Sequence, residues 1–473
     1  MKGGVNMDGF LGIDIGTTNS KALLISENGK LMKSWKKRTP EKSINGRRYI
    51  DILAIEQLVD LWTEKAKTVC NLKSIGFSSI GESVVPVKNG VAMSMPLVWY
   101  EDTYIPALNL SKVTDFSYTG VHDSGTYSLY KIIWMETNIL AEKPDFWLPV
   151  CSYLVYRKTG VAMWDTSQAG RTYMYDIHER KWISELISKY DIRLPEKIGR
   201  IGRFCGEKDG IVYGLGGHDH YVGLFAVHHL CGGRELFYDS MGSSSVLAAV
   251  MDDSEKRLRG RATYASHGGC LVTGFRENEY VVNRSLDYYG RILGRIREWN
   301  GNAQTKDFFE LQNRKMDLPR KDNLCLFACQ KGYGKYSDTA EYMNFLGVKD
   351  DMSLSELIFS AYIYLSLGSR EMYRELSGFC SSSPEDMPYF AGGGITENRL
   401  FMTLKATAAD REIRVLSTTE LSALGAAVSG MCACRRDGMI RETGEELLYK
   451  ETIVPDPNYA DIIEQMRERY EQH

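Results

Sequence analysis

The 473-residue sequence lacks the features that mark membrane proteins and nucleic-acid-binding proteins. No apolar run approaches the roughly 20 residues that a bilayer-spanning helix needs. The longest uncharged stretch, residues 421–434, is rich in Ala, Gly and Ser, as expected of a buried helix. Lysine and arginine total 58 against 61 aspartates and glutamates, so there is no excess of positive charge for binding nucleic acid. We therefore expect neither a membrane partner nor a nucleic-acid partner.

Two further absences concern the cell compartment. The first seven residues carry no apolar segment of the kind that forms a secretory signal. The ten cysteines are scattered, and the spacings of Cys325 from Cys329 and of Cys432 from Cys434 differ from the paired spacing of a structural zinc site. We expect reduced thiols in the core and a cytoplasmic protein.

Composition and patterning favour a duplicated α/β protein. The 43% hydrophobic and 25% charged residues are typical of a globular chain, and the length suggests two or three domains. Residues 10–25 indicate two apolar strands around a turn of glycine and hydroxyl residues, and residues 236–250 repeat that plan. We predict an α/β fold with two domains, residues 8–230 and 231–473, and a cleft between them.

The two glycine turns are candidate phosphate-binding sites. Glycine lets the backbone approach a ligand closely, and exposed amides with hydroxyl side chains form an anion cradle. The first turn is formed by Gly16, Thr17 and Thr18 and the second by Gly242, Ser243 and Ser244. Two facing cradles suit a polyphosphate, and Asp14 at the preceding strand end could hold Mg²⁺ through water. Taken singly, each turn is better explained as an ordinary tight turn; their duplication favours the binding interpretation.

The clearest candidate for a catalytic group is Asp219. A strand at residues 211–213 leads into paired glycines, then His218 and Asp219, and an apolar helix follows. Aspartate is a common helix N-cap, which is the structural alternative, and His218 with His220 could bind a metal, although the sequence offers no evident third ligand. A carboxylate at a helix N-terminus facing the cleft would stay ionised. It could accept a proton from a substrate hydroxyl late in phosphoryl transfer.

Two other regions combine glycine or aromatic residues with polar ones. Residues 392–394 are a glycine triplet between a strand and a helix, which permits close approach of a ring or a phosphate. The small side chains of residues 423–427 allow tight packing against either the sheet or an adenine. Glu82 follows a strand, and residues 96–103 present an aromatic pair with two carboxylates, which suits polyhydroxylated ligands. Ordinary strand ends and a core helix explain the same segments without a ligand.

The order of these segments resembles that of the FGGY carbohydrate kinases, within the superfamily of sugar kinases, heat-shock proteins and actin. The similarity runs from about residue 10 to the C-terminal helix. It comprises residues 14–21 for the first phosphate motif, 242–244 for the second, 392–394 with 423–427 for the adenosine motif, and 216–219 for the catalytic aspartate. The resemblance implies two ribonuclease H-like (actin-like ATPase) domains with a central cleft, closing on MgATP and a sugar or polyol.

The resemblance also implies roles for individual residues. Asp219 would be the catalytic base, and Asp14 and Asp219 would act on Mg²⁺, largely through water. The implied ATP-binding residues are Gly16, Thr17, Thr18, Asn19, Lys21, Gly242, Ser243, Ser244, Gly393, Gly394 and Asn398. The implied substrate-binding residues are Glu82, Trp99, Glu101, Asp102, His218 and Asp219.

The chain departs from the family pattern where substrate contacts are expected. The aromatic-x-Asp-x-Arg motif appears as residues 99–104 without the arginine. A proline-rich Gly-Glu-Arg segment is replaced in residues 329–336, and a usual helix glutamate is absent from residues 361–366. We expect an ATP-dependent kinase acting on a ketopentose, a polyol or a similar compound, and dimers are common for proteins of this size and family. The alternative is a non-catalytic or regulatory nucleotide-binding protein on the same scaffold.

Overall fold

The computed structural model of the chain describes residues 7–105, 108, 116–242, 245–253, 270–286, 292–296, 324–331, 340–435 and 449–471. Two of the expected phosphate-turn residues, Ser243 and Ser244, lie outside these ranges. Residues 332–336, which belong to the segment that departs from the family pattern, also lie outside them.

The first half of the chain alternates strands and helices. The strands are β1 (Asp8–Ile15), β2 (Asn19–Ser26), β3 (Leu31–Arg38), β4 (Glu41–Ile44), β5 (Arg47–Ile50), β6 (Asn71–Ser79), β7 (Val84–Lys88), β8 (Val91–Ala92), β9 (Phe146–Pro149), β10 (Trp164–Asp165), β11 (Tyr175–Asp176), β12 (Lys181–Trp182), β13 (Ile198–Gly199), β14 (Phe204–Lys208) and β15 (Ile211–His218). The helices are α1 (Ile52–Lys67), α2 (Phe116–Thr119), α3 (Ser128–Asn138), α4 (Val150–Thr159), α5 (Thr166–Ala169), α6 (Ser184–Tyr190) and α7 (Asp219–Leu230).

The second half begins with strands and ends with helices. The strands are β16 (Leu236–Met241), β17 (Ser245–Asp252), β18 (Cys270–Thr273), β19 (Glu279–Leu286), β20 (Leu326–Lys331), β21 (Ala340–Leu346), β22 (Tyr389–Gly392), β23 (Ile413–Leu416) and β24 (Tyr449–Ile453). The helices are α8 (Leu354–Ser377), α9 (Arg399–Ala409), α10 (Leu421–Arg435) and α11 (Pro457–Glu471), with 3₁₀ turns at Pro384–Asp386 and Gly394–Glu397.

Two sheets with the same strand arrangement lie at the centres of the two halves. The first has the order β14-β15-β6-β1-β2-β3, and the second has the order β24-β23-β22-β16-β17-β19-β18. In each sheet, the first hairpin strand pairs antiparallel with the second and parallel with a later strand, β6 or β22. The outer pairs also match. Strands β6 and β15 pair parallel, as do β22 and β23, and the edge pairs β14–β15 and β23–β24 are antiparallel. The α/β fold and the repeated hairpin plan are confirmed.

The first sheet shows why its sequence is apolar at the centre and charged at the edge. Strand β1 is buried along nearly its whole length because α1 packs on one face and α10 on the other. Strands covered on both faces have no polar side to present to water. Edge strand β3 is largely exposed and carries Lys33, Lys36, Lys37 and Arg38. Charge on an exposed edge discourages pairing with another chain.

Helix α10 comes from the second half and lies directly on the first sheet. A Cβ added to Gly12 of β1 would lie 1.9 Å from the carbonyl oxygen of Ala423. One added to Gly425 would lie 1.9 Å from the carbonyl oxygen of Val222 in α7. The small residues at 423–427 therefore serve tight packing between helix and sheet. The interpretation of this segment as a core helix is correct.

The paired glycines before Asp219 belong to strand β15 itself. The sequence pattern predicted a strand ending at residue 213, but β15 continues to His218 and shifts register against β6 between Gly214 and Gly217. A Cβ on Gly216 would lie 1.4 Å from the carbonyl oxygen of Phe77, so a side chain cannot fit there. Glycine thus lets β15 run close along β6 and deliver Asp219 to the start of α7.

Helix α8 begins where its capping sequence predicts. The Ser353 hydroxyl accepts a hydrogen bond from the Glu356 N–H, and the Glu356 carboxylate accepts one from the Ser353 N–H. Such a reciprocal pair satisfies two amides that a helix start would otherwise leave open. Within the described ranges, none of the helices has the length together with the apolar composition that crossing a membrane requires.

Candidate active site

A cavity of about 510 Å³ lies between the two sheets, at the carboxyl ends of their parallel strands. This edge of an α/β sheet is where ligands generally bind. The first half contributes Thr17, Thr18, Ile80, Gly81, Glu82, Trp99, Arg171, His218, Asp219, His220, Tyr221 and Leu224 to the lining, and the second half contributes Tyr238, Ser240, Gly242, Val246, Ala248, Cys270, Asn283 and Ser285. The cavity brings together seven sequence-predicted residues, which are Thr17, Thr18, Glu82, Trp99, His218, Asp219 and Gly242.

Asp219 is the first residue of α7 and lies in the cavity wall. Its Oδ1 accepts a hydrogen bond of 2.8 Å from the backbone N–H of His220. The Nδ1 atom of His218 lies 2.8 Å from the same oxygen. Burial by itself would raise the pKa of this carboxyl, but the neighbouring His220 and His218 hold the pKa well below its ordinary value. Asp219 is therefore ionised at neutral pH.

The structural alternative for Asp219, a helix cap, does not fit its position. The capping residue of α7 is His218, and Asp219 stands inside the first turn. The metal alternative for His218 and His220 also gains no support, because no group of three His, Cys, Asp or Glu side chains suited to a metal ion occurs among the described residues. What remains is a carboxylate that faces the cavity.

Asp14 lies near the end of β1, opposite Lys21 of β2 and Ser78 of β6. It is 6% exposed, and its Oδ1 has no hydrogen-bond partner within the described part of the chain. Burial, and next the negative charge of Asp219, raise the pKa of Asp14 to about 7, although Lys21 opposes this. Two interacting carboxylates with a buried, unpartnered oxygen suit Mg²⁺, which commonly binds one or two carboxylates together with water and phosphate oxygens.

Replacing Asp14 by Asn is expected to stabilise the protein when metal and nucleotide are absent. The pKa of Asp14 rises from 3.8 to about 7 on folding. At pH values between these two, the folded protein keeps a proton on Asp14 that the unfolded chain has lost. The wild type therefore loses about 1.4 kcal/mol of stability per unit as the pH rises through this window. Asn cannot ionise and avoids this loss. Thermal unfolding in a chelator should show a higher Tm for Asp14→Asn at pH 8, with a difference that shrinks toward pH 4.

The control for this measurement is Glu64→Gln, a carboxylate-to-amide change on the exposed surface of α1. It should leave the pH dependence of Tm unchanged, because the Glu64 side chain is 70% exposed and its ion pair with Lys67 lies at the surface, where such pairs contribute little. A Tm difference between wild type and Asp14→Asn that stays constant from pH 4 to pH 8 would show that burial of the Asp14 charge costs nothing.

The first glycine turn opens on the cavity and is fixed from two sides. The Thr39 hydroxyl donates a hydrogen bond of 2.6 Å to the carbonyl of Gly16. The indole Nε1 of Trp99 donates one of 3.0 Å to the hydroxyl of Thr17. Gly242, where the second turn begins, lines the same cavity. The described residues of the two turns thus face one space, as a shared polyphosphate would require.

Glu82 forms a buried ion pair in the cavity wall. Its Oε1 accepts a hydrogen bond of 2.6 Å from the Nε of Arg171, and Glu82 is 4% exposed. Burial would lower the pKa of Arg171, but Glu82 raises that pKa well above its ordinary value, so the guanidinium stays charged. The backbone of Glu82 has φ +58°, a left-handed conformation that is uncommon outside glycine. Such strain persists where the surroundings over-determine a position, commonly at functional sites.

Lys131 supports the cavity from behind Trp99. Its side chain is fully buried, and its Nζ donates hydrogen bonds to the carbonyls of Trp99, at 2.8 Å, and of Thr126. Burial lowers the pKa of Lys131 to about 8. Because a buried amino group needs acceptors, these bonds fix the backbone of Trp99 and thereby the position of its ring beside the first turn.

Glu101 and Asp102 do not line the cavity, contrary to the sequence expectation. The Glu101 carboxylate accepts hydrogen bonds from the Arg47 side chain at 3.0 Å and from the Arg48 backbone at 2.9 Å. Asp102 Oδ1 accepts one of 2.8 Å from the backbone N–H of Tyr104. These bonds use the carboxylates to hold the segment that follows Trp99. A substrate contact for Glu101 and Asp102 stays a prediction.

Asn398 is likewise placed away from the cavity. Its Oδ1 accepts a hydrogen bond of 3.1 Å from the Phe401 N–H at the start of α9, and its Nδ2 donates one of 2.9 Å to the Tyr362 hydroxyl. The side chain is fully buried. Both ends of the amide are engaged inside the core, where Asn398 caps helix α9. A nucleotide contact for Asn398 stays a prediction.

Gly16 of the first turn does not itself line the cavity, and neither do four other residues expected to bind nucleotide, namely Asn19, Lys21, Gly393 and Gly394. Lys21 forms an ion pair with Glu420, just before α10. Gly393 has φ +110°, and a Cβ on it would lie 2.2 Å from the carbonyl oxygen of Met241. Glycine is therefore required where this backbone crosses the end of β16. A nucleotide contact for these four residues stays a prediction.

A buried ion pair lies behind the second turn. Lys405 of α9 binds Asp239 of β16, and both side chains are fully buried. The other carboxylate oxygen of Asp239 accepts a hydrogen bond of 2.8 Å from the hydroxyl of Ser245, the first residue of β17. The ion pair therefore fixes the residue at which the chain leaves the second turn.

Sequence reasoning missed several residues that line or support the cavity. Arg171 lies 89 positions from its partner Glu82, and no spacing rule links two residues so far apart. Asn283, whose Nδ2 donates a hydrogen bond of 2.6 Å to the Tyr221 hydroxyl, comes from a strand without any motif.

Taken together, Asp219, Thr17, Thr18 and Gly242 line one cavity. Asp14, a second carboxylate suited to a divalent cation, does not line it but lies buried close enough for the charge of Asp219 to raise its pKa. A base near a phosphate cradle can accept a proton from a hydroxyl as that hydroxyl attacks a phosphoryl group.

Comparison with known proteins agrees with this phosphoryl-transfer chemistry. Residues 10–198 match the model of the N-terminal domain of the FGGY family of carbohydrate kinases, and residues 240–434 match the model of its C-terminal domain. A protein described as probable glycerol kinase from Caenorhabditis elegans is 22% identical over 92% of this chain and 93% of its own length. Xylulose kinase from Bacillus subtilis is 24% identical over 54% of this chain and 56% of its own length.

Solved structures share the whole architecture. Xylulose kinase from Rhodospirillum rubrum superimposes with a TM-score of 0.78 at 16% identity, covering 98% of both chains. Plasmodium falciparum glycerol kinase with ADP gives a TM-score of 0.78 at 14% identity, covering 99% of this chain and 98% of that one. At identities this low, the superpositions establish the fold alone. On that basis the two-domain actin-like arrangement is confirmed.

Proposed function

We propose, since this chain belongs to the FGGY family of carbohydrate kinases, that it transfers the γ-phosphate of MgATP to a hydroxyl of a ketopentose, a polyol or a similar compound, with Asp219 as the base. The observation that carries the proposal is the ionised Asp219 carboxylate in a cavity that is also lined by Thr17 and Thr18 of the first turn and by Gly242 of the second. The non-catalytic alternative does not account for a base held in that position.

The low pKa of Asp219 fits phosphoryl transfer. In a loose transition state the attacking hydroxyl keeps its proton until late, so a weak base that is always ionised serves well. The His220 backbone N–H and the His218 ring lie 2.8 Å from the Asp219 carboxylate and stabilise its ionised form, and the start of α7 fixes its position. Positioning of this kind contributes to catalysis by holding the hydroxyl oriented for in-line attack.

The phosphates would lie between the two turns. Thr17 and Thr18 offer hydroxyl groups on one side, and Gly242 allows close backbone approach on the other. Asp14 and Asp219 would hold Mg²⁺, and the charge of the ion would offset that of the phosphates. Asp14 would then stay ionised without the cost that its burial now carries.

The acceptor would lie at the end of the cavity formed by Glu82 and Arg171. This ion pair presents both acceptor and donor atoms at little net charge, which suits a neutral, hydroxyl-rich compound. Trp99, 42% exposed, offers an aromatic face against which C–H groups of a sugar can pack. The xylulose and glycerol kinases among the similar proteins act on acceptors of this kind by their names.

The experiment that tests the proposal is an ADP-release assay with MgATP over a panel of ketopentoses, polyols, ketohexoses and aldonates. We expect one class of neutral compounds to raise ADP formation at least about 10²-fold above the rate without acceptor. The reason is that the site would hold the acceptor hydroxyl in position for attack, whereas it would not position water in this way. Mass spectrometry of the product should show one added phosphate.

If no compound of the panel raises ADP formation although the protein binds ATP, the non-catalytic alternative would be favoured. A preference for aldonates would contradict the assignment of a neutral acceptor but leave the kinase intact. The matched control is the same panel with Asp219→Asn, whose rates should not respond to acceptor.

A further inference from the structure

A second cavity, of about 770 Å³, lies at the far end of helix α7. Asp219 at the start of α7 lines the first cavity, whereas His228 and His229 near its end line the second. Four arginines complete the charged lining of the second cavity, namely Arg180, Arg200, Arg203 and Arg276. The described lining residues include no aspartate or glutamate. This cavity is therefore strongly positive, and the proposed kinase reaction does not use it.

Two of the arginines are held by a rigid turn. The Arg203 N–H donates a hydrogen bond of 3.1 Å to the carbonyl of Arg200, and Leu215 of β15 exchanges bonds of 2.8 Å with Gly202 and Arg203. Gly202 has φ +88°, and a Cβ there would lie 3.1 Å from the side chain of Cys432 in α10. The turn is thus fixed to both β15 and α10. The backbone that carries both arginines is therefore already ordered before a ligand binds.

These guanidinium groups lack balancing charge in the described part of the chain. Neither Arg200 nor Arg203 forms an ion pair or side-chain hydrogen bond there. The Nη1 of Arg180 is buried without a partner in the same part. Burial, and next the charge of Arg200, lower the pKa of Arg180, as expected for like charges held together. The Nη2 of Arg180 donates hydrogen bonds to the backbone carbonyls of Arg276, at 3.2 Å, and of Glu277. These neutral acceptors do not balance the positive charge, which an anion would.

The cavity is formed by both halves of the chain. Arg180, Arg200 and Arg203 come from the first half, and Arg276 comes from the turn between β18 and β19. Arg276 is anchored, because its Nη1 donates a hydrogen bond of 2.9 Å to the carbonyl of Gly233. An anion in this cavity would join segments of the two halves behind the active site.

We propose that the second cavity binds a small molecule that carries two or more phosphate groups. Arg276 has a counter-charge, because its Nε lies 3.7 Å from a carboxylate oxygen of Glu279. The three other guanidinium charges exceed what one phosphate, with a charge of about −1.5 to −2, can offset. Arginine binds phosphate oxygens with paired, charge-assisted hydrogen bonds. The volume of about 770 Å³ accommodates a metabolite of that size. The site is separate from the proposed nucleotide site, and its existence does not depend on the kinase reaction.

Calorimetric titration of the intact protein with inorganic pyrophosphate, in a chelator and at constant ionic strength, tests the proposal. We expect pyrophosphate to bind at least about tenfold more tightly than inorganic phosphate, and the R200Q/R203Q variant to bind pyrophosphate at least about tenfold more weakly than wild type. The matched control is K30Q/K33Q, which removes two exposed positive charges outside the cavity and should leave pyrophosphate binding unchanged.

Unchanged pyrophosphate affinity in R200Q/R203Q would place the anion elsewhere, including at the glycine turns, and would overturn the proposal. Absence of binding to wild type would overturn it as well. Should the double variant fail to fold, as judged by circular dichroism, Arg203→Gln alone decides the question, because Arg203 is exposed and its side chain supports no described contact.

Discussion

Asp219→Asn is expected to lower kcat by about 10²–10⁴-fold, the usual contribution of a positioned general base. Asn keeps the shape of the side chain and can still meet the His220 N–H, but it cannot accept the hydroxyl proton. Nucleotide binding should survive, since Thr17, Thr18 and the Gly242 turn are untouched. Steady-state kinetics with the best acceptor from the panel and direct titration with ADP measure the two effects separately.

Asp219→Asn also has a second expected result that does not depend on turnover. Loss of the Asp219 charge removes one of the causes that raise the pKa of Asp14, so this pKa should fall in the ligand-free variant. The fall is measurable as a smaller pH dependence of Tm between pH 4 and pH 8. Glu64→Gln serves again as the surface control. Acceptor phosphorylation by Asp219→Asn at the wild-type rate would show that another group is the base.

The fold was largely predictable from the sequence because its strongest signals are local. Each hairpin combines apolar strands with a glycine turn inside one short segment, and the two sheets repeat that hairpin in matching places. The helix start at Ser353 also depends only on residues three positions apart. The end of β15 was wrongly predicted. Position 216 must be glycine because the carbonyl of Phe77, which is distant in sequence, leaves no space for a side chain.

The candidate site was only partly predictable, and the errors have one physical cause. A sequence shows which side chains can bind a ligand, but not which partners in the fold already occupy them. Glu101 and Asn398 have suitable chemistry, yet Arg47 engages the first and the core engages the second. The reverse holds for Arg171, which becomes part of the site through Glu82, a partner that folding alone brings near.

Lys405→Met is expected to cause the largest loss of stability, about 3–5 kcal/mol in the free energy of unfolding. Met matches the length of Lys and keeps the packing, but it leaves the Asp239 carboxylate buried without its cation. Hydroxyl groups of Ser245 and Tyr389 still bind that carboxylate, at 2.8 and 3.3 Å. Neutral donors do not replace the charge of the ammonium group. The midpoint of urea unfolding should fall accordingly.

The double variant Asp239→Leu with Lys405→Met separates loss of a cation from loss of packing. Replacing a buried ion pair by apolar residues is often close to neutral, so the double variant should regain most of the stability that Lys405→Met loses. Lys33→Met on the exposed edge strand β3 should change the midpoint little. Stability of Lys405→Met within about 1 kcal/mol of wild type would mean that Asp239 does not need its cation. In the double variant Ser245 also loses its partner, so acceptor phosphorylation should weaken even where stability returns, because this hydroxyl fixes the chain where it leaves the second turn.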